Sequence, residues 1–178
     1  IKPEVLPLGN LPVVNVRDFG AQGNGENNDL PAFYAALDSL EDGGIIRIPE
    51  GKYLLEPIEG RTQYPLTAIE HVFGITDRNN IHILSDGENS ELIFNDVDKE
   101  GIRFVNVING SIKNISVRQK TKAATRHNRS LIDISGSRNV IVQGVSSYDS
   151  AGQGLQVDSS ILIGFYNNKI ERAYGAGI

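Results

Sequence analysis

Cysteine is absent from this chain, and so are methionine and tryptophan. Without cysteine there is neither a disulfide nor a thiolate metal site, although the compartment stays open, since secreted chains also lack it. Without tryptophan, stacking on sugars or bases falls to six Tyr and six Phe, several of which sit where a core would claim them. No apolar run approaches the roughly 20 residues that cross a bilayer, so a membrane is not an expected partner. The first residues carry no basic stretch followed by a hydrophobic one. No signal peptide is therefore visible, and a mature secreted chain would read the same. Basic residues are in deficit: 17 Lys and Arg against 22 Asp and Glu give a formal charge of −5. That balance argues against nucleic acid, whose binding is driven by Lys and Arg neutralising phosphates.

What is present fits one domain spanning 1–178, since 178 residues with 39% hydrophobic side chains suffice for a continuous core. Val14 and Val16 alternate with Asn15 and Arg17 at the period of a half-buried strand, and Gly20, Gly23 and Gly25 permit a sharp turn. Asp29 is placed to cap a helix over about 30–40, with Pro31 tolerated in its first turn. Leu30, Phe33, Tyr34, Leu37 and Leu40 form one apolar face of that helix. Gly43-Gly44 ends it. Ile45, Ile46 and Ile48 then start a β run, which Pro49-Glu50-Gly51 turns into Tyr53-Leu54-Leu55.

Beyond Leu55 the chain repeats irregularly, and residues 70–178 read as coils. Ile132, Leu155 and Ile178 follow one another at intervals of 23 residues. Second and third runs follow within each coil: Asn139-Val140-Ile141-Val142 and Ser160-Ile161-Leu162-Ile163, then Gly144-Val145-Ser146 and Asn168-Lys169-Ile170. Earlier coils are visible at Ile102-Arg103-Phe104 with Ile112 and Ile115-Ser116-Val117, and at Ile81-His82-Ile83 with Leu92-Ile93-Phe94. Asn80, Asn114, Asn139 and Asn168 stand at the corners, where Asn tolerates left-handed backbone and can bond to a neighbouring coil.

The order of Val14 to Leu55 (V-N-V-R-D-F-G-A-Q-G-N-G, then the helix, then G-G-I-I-R-I-P-E-G-K-Y-L-L) resembles the amino-terminal cap and first coils of the pectate-lyase-like superfamily. The resemblance implies an all-β fold: a right-handed, single-stranded parallel β-helix of about 23-residue coils. Residues 13–55 would form the cap and first strands, with the helix plugging the open end of the stack. It further implies a polysaccharide partner, extracellular or virion-associated localisation, and either a glycoside hydrolase or polyuronate lyase or a non-catalytic tail or adhesin module, in which three chains could associate. The polygalacturonase branch's N-T-D and G-D-D and the alginate epimerase branch's D-P-H-D do not occur here. The sequence stops at Ile178 in what reads as the first strand of a new coil, so the expectation is either a fragment or a rung that pairs with another subunit.

Three groups of residues bear on chemistry. Tyr148 to Asp158 resembles the superfamily's small-residue, G-x-G-hydrophobic coil start. There Asp149 and Asp158 are the candidate catalytic carboxylates, with Tyr148 and Gln153 as substrate contacts; ordinary turn carboxylates are the alternative. Arg118, Lys120, Lys122, Arg126, His127 and Arg129 crowd an acid-free stretch suited to an acidic polysaccharide or to a plain solvated loop. His71 and His82 read as structural. Asp86, Glu88, Glu91, Asp96, Asp98 and Glu100 raise Ca²⁺, but their spacing matches no calcium loop; Asp96 and Asp98 read as two ligands or, more simply, as a solvated turn, so the expectation is no cofactor, with Ca²⁺ as the weaker alternative.

Overall fold

A computed structural model describes residues 3, 8–41, 43–64, 68–87 and 89–175. The chain opens with β1 (Val13–Asn15), a 3₁₀ turn (Val16–Phe19), β2 (Asn24–Asn28) and helix α1 (Leu30–Asp38). Two further strands complete the first coil, β3 (Gly44–Ile48) and β4 (Gly51–Leu55). Four triplets follow: β5 (His71–Thr76), β6 (Asn79–Ser85) and β7 (Ser90–Phe94); β8 (Glu100–Val105), β9 (Ile108–Lys113) and β10 (Ser116–Gln119); β11 (Ile132–Ser135), β12 (Arg138–Gln143) and β13 (Ser146–Tyr148); β14 (Leu155–Asp158), β15 (Ile161–Tyr166) and β16 (Lys169–Glu171).

Each strand pairs in parallel with its equivalent one coil away, and three sheets result. The first runs β1-β3-β6-β9-β12-β15, the second β2-β4-β7-β10-β13-β16, and the third β5-β8-β11-β14. This is a parallel β-helix. Its core is built from stacked equivalents. Ile46, Ile83, Ile112 and Val142 are in register along the first sheet, and Phe73, Ile102, Ile132 and Leu155 along the third, all buried. Burying each such side chain contributes about 1.5–3 kcal/mol.

The 23-residue interval holds for one step, Ile132 to Leu155. Phe73 to Ile102 and Ile102 to Ile132 are 29 and 30 residues apart, because the loops between sheets differ in length while the strands stay in register. Ile178, the third member of the expected repeat, lies outside the described residues.

Helix α1 closes the first coil through Phe33, whose ring packs edge-on against Tyr53 of β4 and Phe73 of β5. Tyr34 sits beside Phe73, and its hydroxyl accepts from the Gly74 amide. The expected cap is built differently. Asp29 occupies the N-cap position, but its buried carboxylate turns back to accept from the amides of Gln22 and Gly23, at 2.7 and 3.0 Å, and the Leu30 amide goes to Asn28 Oδ1 instead. The glycine-rich turn offers two convergent N–H groups, which satisfy a buried carboxylate better than a single helix amide.

The corners explain the asparagines. Asp77, Asn106, Gly136 and Ser159 form one column of left-handed residues, and Asn80, Asn109, Asn139 and Leu162 a second; Asn114, Gly144 and Asn167 form a third, and Asp149 and Arg172 a fourth. Left-handed backbone costs most side chains about 1–2 kcal/mol, and Asn and Asp less. In the second column the amides bond one another, Asn139 Nδ2 to Asn109 Oδ1 (2.9 Å) and Asn109 Nδ2 to Asn80 Oδ1 (3.2 Å). In the third column Asn167 takes the left-handed turn at the last coil. Its neighbour Asn168 braces the coil before, accepting from Val145 N and donating to Val142 O, both at 2.9 Å.

Candidate functional site

The corner between the second and third sheets gathers most of the expected site residues. Its loops are 95–99, 120–131 and 149–154, followed by residues 172–175 after β16. Loop 120–131 is held by its neighbours rather than projecting. The His127 ring donates from Nδ1 to Asp98 Oδ1 at 2.7 Å, since a carboxylate can only accept, and its backbone amide bonds Ala151 O. Arg129 Nε bonds Asp98 O at 2.9 Å, and Tyr174 Oη bonds Ala124 O.

Much of the basic charge is already engaged. Arg118 lies 3.2 Å from Glu91 and Lys120 4.0 Å from Glu56. Arg126 and Lys122 are exposed, and Lys122 lines a cleft of about 280 Å³ with Arg172, Ala173 and Tyr174. Asp149 faces this cluster. It takes both guanidinium nitrogens of Arg172, at 2.6 and 3.0 Å, and this pairing, helped by Lys122 and Arg118, holds its carboxyl below the usual range. The same guanidinium lies 5.5 Å from the ring centre of Tyr148. Gln153 is half-buried, and its carbonyl accepts from the Leu131 amide.

Asp158 is elsewhere. It ends β14, at the corner leading to the first sheet, and is exposed. The structure thus sets Asp149 and Asp158 at corners on either side of β14. Asp149 answers to Arg172, and Asp158 to Asp133 on the neighbouring strand, whose pKa it helps to raise.

Asp133 belongs to a charged group that alternation alone did not single out. Arg103, Asp133 and Gln156 are in register on the third sheet, alternating with the core residues Ile102, Phe104, Ile132 and Ile134, so they occupy its outer face. Arg103 Nε donates to Asp133 Oδ2 at 2.8 Å, and the two side chains are 1% and 2% exposed. Ser135 Oγ donates to the same oxygen, whereas Asp133 Oδ1 has no hydrogen-bond partner among the described residues. Burial pushes the Asp133 pKa up, with Asp158 adding, against the opposing pull of Arg103 and Ser135.

Glu100 accepts from the Ser130 amide, and burial drives its pKa up to about 7. Ser130 Oγ donates to Gln156 Oε1 at 2.8 Å. His71 is depressed to about 4 by burial and by Arg103, and His82 to about 4 by burial and by Lys113. Both are therefore neutral at pH 7, which fits a structural role; His82 Nδ1 pairs with Ser111 Oγ at 2.8 Å. The segment before β5 covers this face over β5 and β8: Ile69 O accepts from Arg103 Nη1, and Tyr64 Oη accepts from Asn106 Nδ2. At β14 the cover ends, and Val157 and Asp158 are exposed. The signal in sequence was the opposite charge at equal register, Arg103 between Ile102 and Phe104 and Asp133 between Ile132 and Ile134.

The acidic residues considered for Ca²⁺ are dispersed onto partners: Asp86 on Arg47, Glu91 on Arg118, Asp96 on Lys99, Asp98 on His127. Glu88 lies outside the described residues. Among the described residues, no group of three or more His, Asp or Glu side chains that could hold a metal occurs.

Residues 13–121 match the family described as rhamnogalacturonase A/epimerase, pectate lyase-like. The chain belongs to this family. The family match takes in the cap and the coils through β10; Asp133, Asp149 and Asp158 lie beyond it. Mannuronan C5-epimerase AlgE1 of Azotobacter vinelandii is 43% identical over 47 residues, 25% of this chain and 3% of that protein. Alginate lyase 7 of the same organism is 44% identical over 41 residues, 22% of this chain and 5% of that protein. Among solved structures, the A-module of the Azotobacter vinelandii mannuronan C-5 epimerase AlgE4 has a TM-score of 0.60 at 15% identity, over 88% of this chain and 50% of that one. ORF18 of Geobacillus virus E2 has a TM-score of 0.60 at 16% identity, over 80% of this chain and 27% of that one. The chain thus spans half or less of each of these proteins, and at such identities the structural likeness speaks to the fold alone.

Proposed function

We propose that this family member acts on an acidic polysaccharide lying along the uncovered end of the third sheet, beside loop 120–131. The observation that carries this reading is the exposed carboxylate of Asp158 at that end of the sheet, on the same outer face as the buried pair of Asp133 and Arg103. Asp158 is in register with Ser135, and Asp133 lies two residues before Ser135. Strand geometry sets the two Cα atoms about 8 Å apart.

The environments divide the roles. Asp158, exposed, is the carboxylate that can reach substrate and act as the base; Asp133, almost fully buried and paired with Arg103, lies behind it and does not touch the glycan. In hydrolysis Asp158 activates the attacking water, and in β-elimination it takes the proton beside a uronate carboxyl; in either case the leaving oxygen takes its proton from solvent at this open end of the sheet. Lys122 and Arg126, both exposed, supply cations for the uronate carboxylates. The local likeness to a mannuronan epimerase and an alginate lyase favours a polyuronate, and such a substrate places the protein outside the cell or on a virion.

Incubation with polymannuronate, polyguluronate, polygalacturonate and neutral glucans tests this. Reducing ends without the ultraviolet signal of unsaturated uronates mean hydrolysis; both together mean elimination; neither, from a folded chain, rejects the enzymatic reading. A second reading, a non-catalytic glycan-binding module, is favoured by the ion pairs that tie up Asp149 and Asp133. Glycan retention without turnover, by a chain that sediments as a trimer, would support it.

A further inference from the structure

A separate cleft of about 480 Å³ opens at the corner between the first and second sheets, away from the third sheet. It is lined by Asn114, Ser116, Gly144, Ser146, Asn167 and Lys169 over Ile115. Three consecutive coils contribute, through the left-handed column Asn114, Gly144 and Asn167.

That column differs from its neighbour in one respect. Where Asn80, Asn109 and Asn139 bond amide to amide, the middle position here is glycine. A Cβ at Gly144 would come 2.7 Å from Asn114 Oδ1, so the Asn114 amide lies against the glycine and the amide ladder stops there. Among the described residues, the side chains of Asn114, Ser116, Ser146 and Asn167 make no hydrogen bond to the protein. Four uncharged side chains that both donate and accept therefore face one cleft, on rungs about 4.8 Å apart. Among the described residues, the one charged lining residue, Lys169, is engaged by Glu171 at 3.0 Å.

We propose that this cleft is a second carbohydrate-binding site, taking a neutral oligosaccharide. Its hydroxyls exchange hydrogen bonds with Asn114, Ser116, Ser146 and Asn167. The volume falls in the range of small-molecule sites, roughly 300–1,000 Å³. The uncharged, amide- and hydroxyl-rich lining suits a hydroxyl-dense, uncharged ligand. The inference stands on this cleft and not on turnover at the third sheet.

The test is nuclear magnetic resonance of the whole chain, titrated with neutral gluco-, manno- and galacto-configured hexasaccharides and with oligoguluronate as the charged comparison. At least one neutral probe shifts the side-chain amide signals of Asn114 and Asn167 and the backbone amide of Gly144. Gly144→Asn crowds the Asn114 amide with a residue that holds the same left-handed backbone, so that amide must turn from its place in the cleft. The variant stays folded by its amide spectrum and binds about tenfold more weakly, the effect of one or two lost hydrogen bonds. Ser116→Ala combined with Ser146→Ala weakens binding similarly without touching the backbone. Asp158→Asn leaves this binding intact, so its outcome is separable from the fate of the third-sheet site. The proposal is overturned if no neutral probe moves these signals, if Gly144→Asn and the serine pair both bind like the parent, or if oligoguluronate binds there more tightly than every neutral probe.

Discussion

Leu162 occupies the corner position that Asn139 occupies one coil earlier, with nearly the same left-handed backbone, φ 57° against 55°. The substitution breaks a chemically consistent column, because leucine neither favours this conformation nor can join the amide ladder. Leu162 is also half-exposed, so little apolar burial compensates. Leu162→Asn should therefore stabilise the chain by about 1 kcal/mol, the smaller end of the left-handed penalty, which is a rise of roughly 2–4 °C for a chain of this size. Differential scanning calorimetry reads this directly, and an unchanged or lower melting temperature would count against it.

The pair between Arg103 and Asp133 makes a different prediction. Both side chains are almost fully buried, so removing one strands the other's charge in low dielectric. Arg103→Met should cost about 3–5 kcal/mol in urea unfolding, whereas Arg103→Met with Asp133→Leu recovers most of that loss. A double variant no more stable than the single one would mean that the Arg103 contact to Ile69, and not the ion pair, carries the effect.

These two relationships differ in how far the sequence disclosed them. Stacked aliphatics such as Ile132 and Leu155 are legible because a parallel stack demands equal chemistry at equal register. The corner asparagines are legible because few residues tolerate that backbone. Arg103 and Asp133 were not, since a charge between two aliphatics is what any half-buried strand shows, and only the covering segment around Ile69 turns that outer face into an interior. The link of Asp158 to Asp133 was hidden for the same reason. Chain proximity suggested Asp149, while the stack joins residues about one coil apart, and Asp149 finds Arg172. The cap at Asp29 misled because sequence names the helix it precedes and not the glycine-rich turn behind it.

Stability should depend on pH chiefly through three buried groups. His71 and His82 fall to about 4 in the folded chain, so the unfolded chain binds more protons between pH 4 and 6.5; their contribution is complete above 6.5 and is lost as pH falls toward 4. Glu100, raised to about 7, acts oppositely: its contribution is complete below 4.5 and is lost as pH rises toward 7. Two histidines against Glu100 leave an excess of about one proton in the unfolded state near pH 5.5, and Asp133, also raised by burial, reduces that excess. Stability should rise with pH there by less than about 1.4 kcal/mol per unit. Glu100→Gln should steepen the rise and make the chain more stable than the parent at pH 8. Urea midpoints from pH 4.5 to 8 check both signs, and a flat or falling profile for the parent would refute the assignment.

Asp149 and Asp158 can be separated by the same conservative change. Asp149→Asn removes an exposed ion pair to Arg172 while keeping a residue suited to φ 56°, so the melting temperature should move by less than about 2 °C. Asp158→Asn should be equally mild, because its carboxylate is exposed. Activity should distinguish them: loss of the base stops turnover of a polyuronate, whereas loss of the Asp149 charge frees Arg172 beside Lys122 and should lower KM for an anionic chain with kcat little changed. Leu155→Asp serves as the structural control, since it buries an unpaired charge under Ile132 and should unfold the last coils outright. If Asp149→Asn abolished turnover while Asp158→Asn retained it, the catalytic base would have to be sought at the corner of Arg172 and not on the third sheet.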